Sequence, residues 1–183
     1  EVIVDEASKM DRLVHSLLQL SQYESGQFPL QPVSFDLAAL VADVLERFQT
    51  ICSAQGIAVT NRVQGPLPAL ADELRVEQVL TNYLDNAVAH VSGDQQIIVS
   101  CEQNLGCYRI SVFNTGMSIP AEDQEQIWTS FYRADRARSR EQNHYGLGLS
   151  IVRAIQEMHG RAYGAENVAL GVRFWFDVQR EDD

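Results

Sequence analysis

The order of periodic segments along this chain predicts an α/β (α+β) two-layer sandwich, with a mixed, mostly antiparallel sheet and three helices on one face. Helical patterns alternate with short strand-like segments. Their order does not supply the strand–helix–strand crossovers that a doubly wound parallel sheet requires. The 183 residues suffice for one medium domain with an appendage. A hydrophobic content of 45% and a charged content of 21% are those of an ordinary globular chain.

One long amphipathic helix is predicted at the start of the chain, over residues 2–20. Its apolar face consists of Ile3, Ala7, Met10, Leu13, Val14, Leu17 and Leu20. Such a seam needs a partner, which we expect upstream in a longer protein or on a second copy. The alternative is a helix that packs back onto the following domain. Because the chain begins at Glu1, inside this helix and without Met, we interpret it as an excised fragment.

Helices and strands then alternate from Asp36, which can cap a helix ending near Ala54. A second helix is predicted from Glu73 to Val91, and its inner face would contain Leu74, Leu80, Tyr83, Leu84, Ala87 and Val91. Strands are predicted over 57–63, 96–102, 107–113, 161–164 and 172–178, with a short helix after Pro120 and a last helix from Gly148 to Met158.

The charge distribution bounds the classes of partner. A net charge of −11 argues against a general nucleic-acid surface, which needs a broad basic face. One local exception exists, a cluster formed by Arg133, Arg136, Arg138 and Arg140. A small basic patch on an acidic protein suits a compact anion such as a triphosphate.

Cysteine usage and hydropathy exclude other classes. The three cysteines, Cys52, Cys101 and Cys107, are odd in number and lack metal-site spacing, which favours free thiols in a reducing compartment. No apolar run approaches the ~18–20 residues that a membrane-spanning helix needs.

Two asparagines one helical turn apart, Asn82 and Asn86, lie on the face of their helix opposite the apolar one. Interior amides are poor helix formers, so a compensating role is expected. An amide oxygen is a suitable hard ligand for Mg²⁺ whose charge is already balanced by phosphate. Taken alone, the pair would be read as two exposed surface amides.

Two glycine-containing segments add to this pattern. Gly146-Leu147-Gly148-Leu149 precedes a helix, where backbone N–H groups can reach a phosphate in the favourable helix dipole. Asn114-Thr115-Gly116 ends a strand. Each is weak evidence alone, because Gly-x-Gly occurs widely and Asn-Thr-Gly is common in plain turns.

In this order and spacing, and with Phe131-Tyr132-Arg133 between them, these segments resemble the ATP-binding catalytic domain of sensor histidine kinases of two-component systems. That family belongs to the gyrase/chaperone/kinase/MutL (GHKL) superfamily, and the resemblance covers essentially the whole chain. It implies a Bergerat-type ATP-binding fold over residues 27–183. Residues 1–26 would be the C-terminal helix of the dimerisation hairpin, without the phosphoacceptor histidine. The resemblance also implies a cytoplasmic domain of a membrane-bound bacterial sensor.

The resemblance implies roles for individual residues. Asn86 would hold Mg²⁺, and Asn82 occupies the position where ATP-hydrolysing relatives carry a Glu base, which argues for phosphoryl transfer over hydrolysis. Adenine would be held by Asn114, with Gly116 and Ile119 beside it. Phosphate contacts would come from Arg133, from Arg138 in a mobile lid over residues 134–145, and from the lid hinge Gly146, Leu147, Gly148 and Leu149. Phe131 would anchor the lid in the core. His90 would touch phosphate or simply cap its helix.

Three positions depart from the family pattern. Asn114 stands where an Asp is usual, Val172 where a Thr or Ser commonly supports the same adenine contact, and Ala89 where a Lys or Arg is frequent. The implied reaction is transfer of the γ-phosphoryl group of ATP to a histidine outside these residues and then to a response-regulator aspartate. The implied partners are ATP or ADP, the chain's own upstream phosphoacceptor helix in a homodimer, and a response regulator, with no nucleic acid. A degenerate binding or dimerisation module and an ATP-hydrolysing clamp remain alternatives.

Overall fold

The computed structural model describes residues 2–26, 28–132 and 146–181. Its helices are α1 (Val2–Glu24), α2 (Leu37–Ala54), α3 (Glu73–His90) and α4 (Gly148–His159), with a 3₁₀ helix over Gln126–Trp128. Its strands are β1 (Val33–Asp36), β2 (Ala58–Asn61), β3 (Pro68–Ala71), β4 (Gln96–Asn104), β5 (Cys107–Thr115), β6 (Tyr163–Val168) and β7 (Gly171–Gln179).

Five strands form the main sheet, in the order β2-β4-β5-β7-β6. Only β2 and β4 pair in parallel, while the other pairs are antiparallel. A two-stranded antiparallel sheet joins β1 to β3. Helices α2, α3 and α4 pack together, with α3 at the centre against both of the others and against β5. The predicted mixed, mostly antiparallel two-layer sandwich is therefore confirmed.

Helix α3 supplies the centre of the core. Tyr83 is fully buried between Phe174 and Phe176, at ring-centroid distances of 5.3 and 5.8 Å, and its hydroxyl donates to the Trp175 carbonyl at 3.1 Å. The buried side of α3 consists of Val76, Val79, Leu80, Tyr83, Leu84 and Ala87. The expectation that Leu74 belongs to it is wrong, because its side chain is 70% exposed. Nine residues separate Leu74 from Tyr83, about two and a half turns, which places them on opposite sides.

The start of α2 has the predicted cap at Asp36, and α3 begins with a cap of the same kind, at Asp72, that was not predicted. The Asp36 carboxylate accepts from the Ala38 N–H at 3.0 Å, and Asp72 accepts from the Arg75 N–H at 3.2 Å. Helix α4 ends at Gly160, whose φ of 62° suits a glycine. Strand β1 was not predicted, because its four residues are mostly exposed and show no alternation. The strand predicted over 161–164 begins later, at Tyr163, and continues to Val168.

Helix α1 extends to Glu24, and its C-terminal part packs on the domain. Leu20 and Tyr23 are buried, and the Tyr23 hydroxyl donates to Gln78 Oε1 at 3.0 Å. The Arg75 guanidinium lies over the Tyr23 ring at 5.1 Å. This end of α1 thus follows the alternative arrangement, in which the helix packs back onto the domain that follows it.

Closer to the N-terminus of α1, a stripe of apolar side chains is exposed. Met10, Val14 and Leu18, spaced four residues apart, are 66%, 51% and 58% exposed. The expectation of an upstream or second-copy partner for this stripe stays a prediction.

The cysteines are free thiols, buried at Cys52 and partly buried at Cys101 and Cys107, as expected. Burial, aided by Glu102, raises the pKa of Cys101 to about 11. Within the described ranges, no helix is long and apolar enough to cross a membrane.

Candidate nucleotide site

Asn82, Asn86 and His90 follow one another at four-residue intervals along one side of α3. Both asparagines are partly exposed, and His90 is exposed at the end of the helix. The Asn82 Nδ2 atom is buried and has no hydrogen-bond partner among the described residues. An orphaned buried donor costs about 1–3 kcal/mol. This amide therefore lies where an incoming acceptor would be stabilised.

The N-terminus of α4 lies directly against Asn82. A Cβ added to Gly148 would lie 3.5 Å from Asn82 Oδ1. The cap residue Leu147 is buried and gives the helix no side-chain cap, while Ser150 Oγ donates back to the Leu147 carbonyl at 2.9 Å. The first-turn N–H groups therefore receive no side-chain cap from their N-cap residue, and the helix dipole favours an anion there. Leu149, next in the turn, is half-buried against the core.

Asn114 marks the other end of the site, at the end of β5. It is 2% exposed and is paired in register with Ile97 of β4 and Val172 of β7. Its Nδ2 donates to the Thr115 carbonyl at 3.2 Å. A Cβ on Gly116 would lie 2.7 Å from the His90 carbonyl and 3.4 Å from Asn114 Nδ2. The structure thus requires a glycine at 116 because the end of α3 approaches so closely.

Sequence comparison decides the family. Residues 71–182 match the family described as "Histidine kinase-, DNA gyrase B-, and HSP90-like ATPase". The chain belongs to this family. Within it, the chain is similar to the catalytic domain of the histidine kinase ThkA, with 30% identity and a TM-score of 0.73 over 82% of this chain and 96% of that one. It is therefore a catalytic ATPase domain of the histidine kinase type.

Full-length relatives extend beyond the chain. Sensor protein IrlS of Burkholderia pseudomallei (strain K96243) is 31% identical over 96% of this chain and 38% of its own length. Sensor histidine kinase WalK of Bacillus subtilis (strain 168) is 28% identical over 100% of this chain and 31% of its own length. A structure of full-length ShkA in complex with AMPPNP has a TM-score of 0.85 at 26% identity, over 100% of this chain and 39% of that one.

In this histidine kinase domain, residues 131 and 132 lie close to Gly146. The Phe131 N–H donates to the Gly146 carbonyl at 3.0 Å, and a Cβ on Gly146 would lie 2.8 Å from the Tyr132 carbonyl. The Tyr132 hydroxyl donates to the buried carboxylate of Asp123. The first turn of α4, which faces Asn82, is therefore held close to residues 131 and 132.

The predicted anchoring of Phe131 in the core is wrong, because its side chain is 56% exposed. The backbone at Phe131 is left-handed, with φ of 64°, and this turn leaves the ring outside. Trp128 packs inside instead, edge-on to Tyr163 at 4.9 Å and to Phe174 at 6.1 Å. In this part of the domain, Trp128 rather than Phe131 contacts the core.

Asn167 of β6 is a site-supporting residue that sequence reasoning missed. Its Oδ1 accepts from the Ile119 N–H and its Nδ2 donates to the Ile119 carbonyl, both at 2.8 Å. These two hydrogen bonds hold the half-buried Ile119 beside the strand end that carries Asn114. The pair lies 48 residues apart in the chain, and no local pattern signals it.

Replacing Asn167 by Ala is expected to weaken nucleotide binding while leaving the domain folded. Two hydrogen bonds at an exposed position contribute about 1 kcal/mol each at most, so the fold should survive. The released Ile119 segment should weaken ADP binding about 3- to 10-fold, a change of about 1 kcal/mol. Calorimetry with ADP and urea unfolding measure the two effects. Asn104→Ala, at the far end of β4, is the control, and equal ADP affinities of the two variants would contradict the assigned support role.

The predicted site residues that the structure describes lie in two clusters. One cluster contains Asn82, Leu147 and Gly148, and the other contains Asn114, Gly116 and the His90 backbone. Asn86 lies between them on α3. Arg133, Arg138 and the predicted lid over residues 134–145 lie outside the described residues.

Proposed function

We propose that this chain is the Mg-ATP-binding catalytic domain of a two-component sensor histidine kinase, which transfers the γ-phosphoryl group of ATP to a histidine outside these residues. The observation that carries the proposal is the amide of Asn82 beside the N-terminus of α4: its oxygen lies nearest Gly148, its Nδ2 has no partner among the described residues, and the N-cap residue Leu147 provides no side-chain cap. The Asn82 amide and the N-terminus of α4 would both be stabilised by one compact anion bound between them. A polyphosphate satisfies both, because its oxygens accept from the amide and from backbone N–H groups.

Support for an adenine base comes from the opposite group. Asn114 is buried at a strand end, with Gly116 and Ile119 beside it, and offers one amide oxygen that accepts no hydrogen bond from any described residue. The nucleotide would lie along α3, with the base at Asn114 and the phosphates at Asn82 and Gly148. The related ShkA, solved in complex with AMPPNP, supports an adenine nucleotide as the ligand.

The residues present fit a Mg²⁺ ion that is held mainly by phosphates and water. No cluster of three or more His, Cys, Asp or Glu side chains able to hold a metal occurs in the described part of the chain. Asn86 lies one turn from Asn82 on the same side of α3, and its neutral oxygen is a ligand that Mg²⁺ accepts when phosphate balances the charge. When bound, the ion supplies neutralisation of phosphate charge.

The amide of Asn82 favours phosphoryl transfer over ATP hydrolysis. Hydrolysis needs a base that accepts a proton from water, which a neutral amide cannot do. In the proposed transfer, the bond between the γ-phosphorus and the β–γ bridging oxygen breaks while a bond to an imidazole nitrogen forms. ADP leaves with the electron pair, and the imidazole proton passes to a base outside this chain. The work of this domain is positioning and electrostatic stabilisation.

The partners of the reaction lie beyond the described residues. We propose residues 1–26 as the last helix of a dimerisation hairpin, whose exposed Met10, Val14 and Leu18 would face the missing helix, and residues 27–183 as the catalytic domain. A response regulator would receive the phosphoryl group on an aspartate. The structure of ThkA in complex with response regulator TrrA, 28% identical with a TM-score of 0.78 over 98% of this chain and 50% of that one, supports this partner.

One observation favours a second candidate, a binding module without catalysis. Val172, the register partner of Asn114, carries no hydroxyl that could assist a base contact. Nucleotide binding separates the two candidates, because the module needs none.

The test is calorimetric titration of the whole chain with ADP and ATP, with and without Mg²⁺, beside the Asn82→Asp variant. We expect micromolar-range binding by the unchanged chain. Asn82→Asp should weaken it about 10- to 100-fold, since a charge-assisted hydrogen bond contributes about 1.5–3 kcal/mol and the carboxylate also repels phosphate. Asn104→Ala should leave affinity unchanged. Absence of binding at millimolar nucleotide would remove the kinase proposal and leave the binding module.

A further inference from the structure

We propose that the outer edge of β2 and the groove beside α2 form a docking site for an extended, positively charged peptide segment of a partner protein. The segment would add a sixth strand to the main sheet. The residues that line this groove are different from those of the candidate nucleotide site, so the inference goes beyond the proposed function. It rests on the unpaired edge of β2, the shape of the groove and the charge along it.

The edge strands of the main sheet are β2 and β6. On the β6 side, the Asn167 side chain binds the backbone of Ile119 through two hydrogen bonds of 2.8 Å, which hold another segment against that strand. On the outer side of β2, no described strand pairs. The four residues of β2, Ala58–Asn61, include neither Lys nor Pro, which commonly block the edges of natural sheets. Among the described residues, this edge is therefore open to a further strand.

The backbone of β2 presents hydrogen-bonding groups to this open side. In a strand, consecutive residues direct their N–H and C=O groups to opposite neighbours. The Ala58 N–H donates to the Gln95 carbonyl, and the Arg62 N–H donates to a carbonyl of β4, both at 2.8 Å. Val59 and Asn61 lie at the alternate positions, so their N–H and C=O groups point away from β4. An added strand would pair with these groups.

Helix α2 runs beside this edge and leaves a groove of about 460 Å³ between itself and β2. The volume lies within the ~300–1,000 Å³ of typical ligand clefts. Along α2 the groove extends from Ala42 to Ser53, which is about 16 Å, the length of roughly five residues of extended chain. Its buried floor consists of Leu45, Cys52 and Ile57. Every second side chain of a docked strand would point at this apolar floor.

The charge along the groove favours a basic segment. Glu46 is the one charged side chain among the lining residues, and it is exposed and forms no ion pair with any described residue. Its neighbour Arg47 pairs with Glu77 instead. The chain as a whole has a net charge of −11, which attracts cations over a longer range. The partner segment is therefore basic, with apolar side chains at its inward positions.

The experiment titrates the whole chain into a fluorescein-labelled heptapeptide of alternating Lys and Val and follows fluorescence anisotropy. We expect saturable binding. Methylating the backbone nitrogens of two consecutive central residues removes one N–H from each edge of the peptide, so one of the losses must face β2. This peptide should bind at least about 5-fold more weakly, because a pairing hydrogen bond is lost and the methyl group blocks the approach. The heptapeptide with Glu in place of Lys should bind at least about 10-fold more weakly.

Variants of the chain locate the binding edge. Val59→Pro removes only an N–H that points away from β4, where an edge strand tolerates proline, and should weaken peptide binding about 5-fold or more. Glu46→Lys should weaken it about 3- to 10-fold. The matched control is Glu122→Lys, which changes the net charge equally at an exposed position outside the groove and should leave the affinity nearly unchanged. Ala42→Trp fills the groove from an exposed position and should also weaken binding.

Several outcomes would overturn the inference. Absence of saturable binding, or equal binding of the methylated peptide, would show that β2 accepts no added strand. Equal losses in Glu46→Lys and Glu122→Lys would show attraction by net charge alone. A dimer in sedimentation that Val59→Pro converts to a monomer would assign the edge to a second copy of the chain. If urea unfolding shows that Val59→Pro fails to fold, Ala42→Trp decides, and an unchanged peptide affinity of that variant would exclude the groove.

Discussion

Replacing Asn86 by Ala is expected to abolish the Mg²⁺ dependence of ATP binding and, in a protein that also contains the proposed phosphoacceptor histidine, the formation of phosphohistidine. Asn86 lies one turn beyond the orphaned Asn82 amide and is the amide we assign to the metal. Loss of a metal ligand leaves phosphate charge less well neutralised. We expect ATP affinity in Mg²⁺ to fall about 10- to 100-fold, the range of a lost charge-assisted interaction. Calorimetry with and without Mg²⁺ measures it.

A conservative variant separates metal binding from folding. Asn86→Asp keeps a hard oxygen ligand at the same place, so Mg²⁺-dependent binding should persist in this variant. Asn86 is partly exposed, and its replacement should change stability little. The assignment fails if Asn86→Ala binds ATP with the same Mg²⁺ dependence as the unchanged chain.

Replacing Gly171 by Ala is expected to have the largest effect on stability. The added Cβ would lie 2.0 Å from the Asn114 carbonyl oxygen and 2.9 Å from its carbonyl carbon, both backbone atoms that cannot rotate away. Strands β5 and β7 would have to separate where Gly171 pairs with Thr115. We expect a loss of about 3 kcal/mol or more in the free energy of unfolding, at the upper end of overpacking costs. Urea unfolding measures it, and ADP binding should be lost with it.

Gly56→Ala provides the matched control for Gly171→Ala. A Cβ on Gly56 would meet nothing within 4 Å, although its φ of +71° makes an alanine there mildly strained. That strain costs about 1–2 kcal/mol, without any clash between strands. Equal destabilisation by the two variants would contradict the argument that the close approach of β7 to β5 is what requires Gly171.

Local sequence signals were sufficient for most helix ends and for the element order apart from the short strands β1 and β3. Asp36 and Asp72 cap α2 and α3 through bonds to backbone N–H groups within three residues, so a local pattern contains all the information. The same holds for Gly160 at the end of α4, which needs only its own backbone freedom. The sequence therefore determined the family, the fold class and the segments that carry Asn82, Asn86 and Asn114.

Tertiary structure alone decided what those segments meet. The close approach of Gly148 to the Asn82 side chain joins positions that are 66 apart in the numbering, and the support of Ile119 depends on Asn167. Periodicity placed Leu74 inside and the family resemblance implied an anchor at Phe131, yet both side chains are exposed. Burial is set by how whole elements pack, and a side chain of suitable polarity is buried only where another element covers it. The sequence thus identified the polar groups of the site, whereas packing between α3, α4 and the sheet decided which of them remain without a partner.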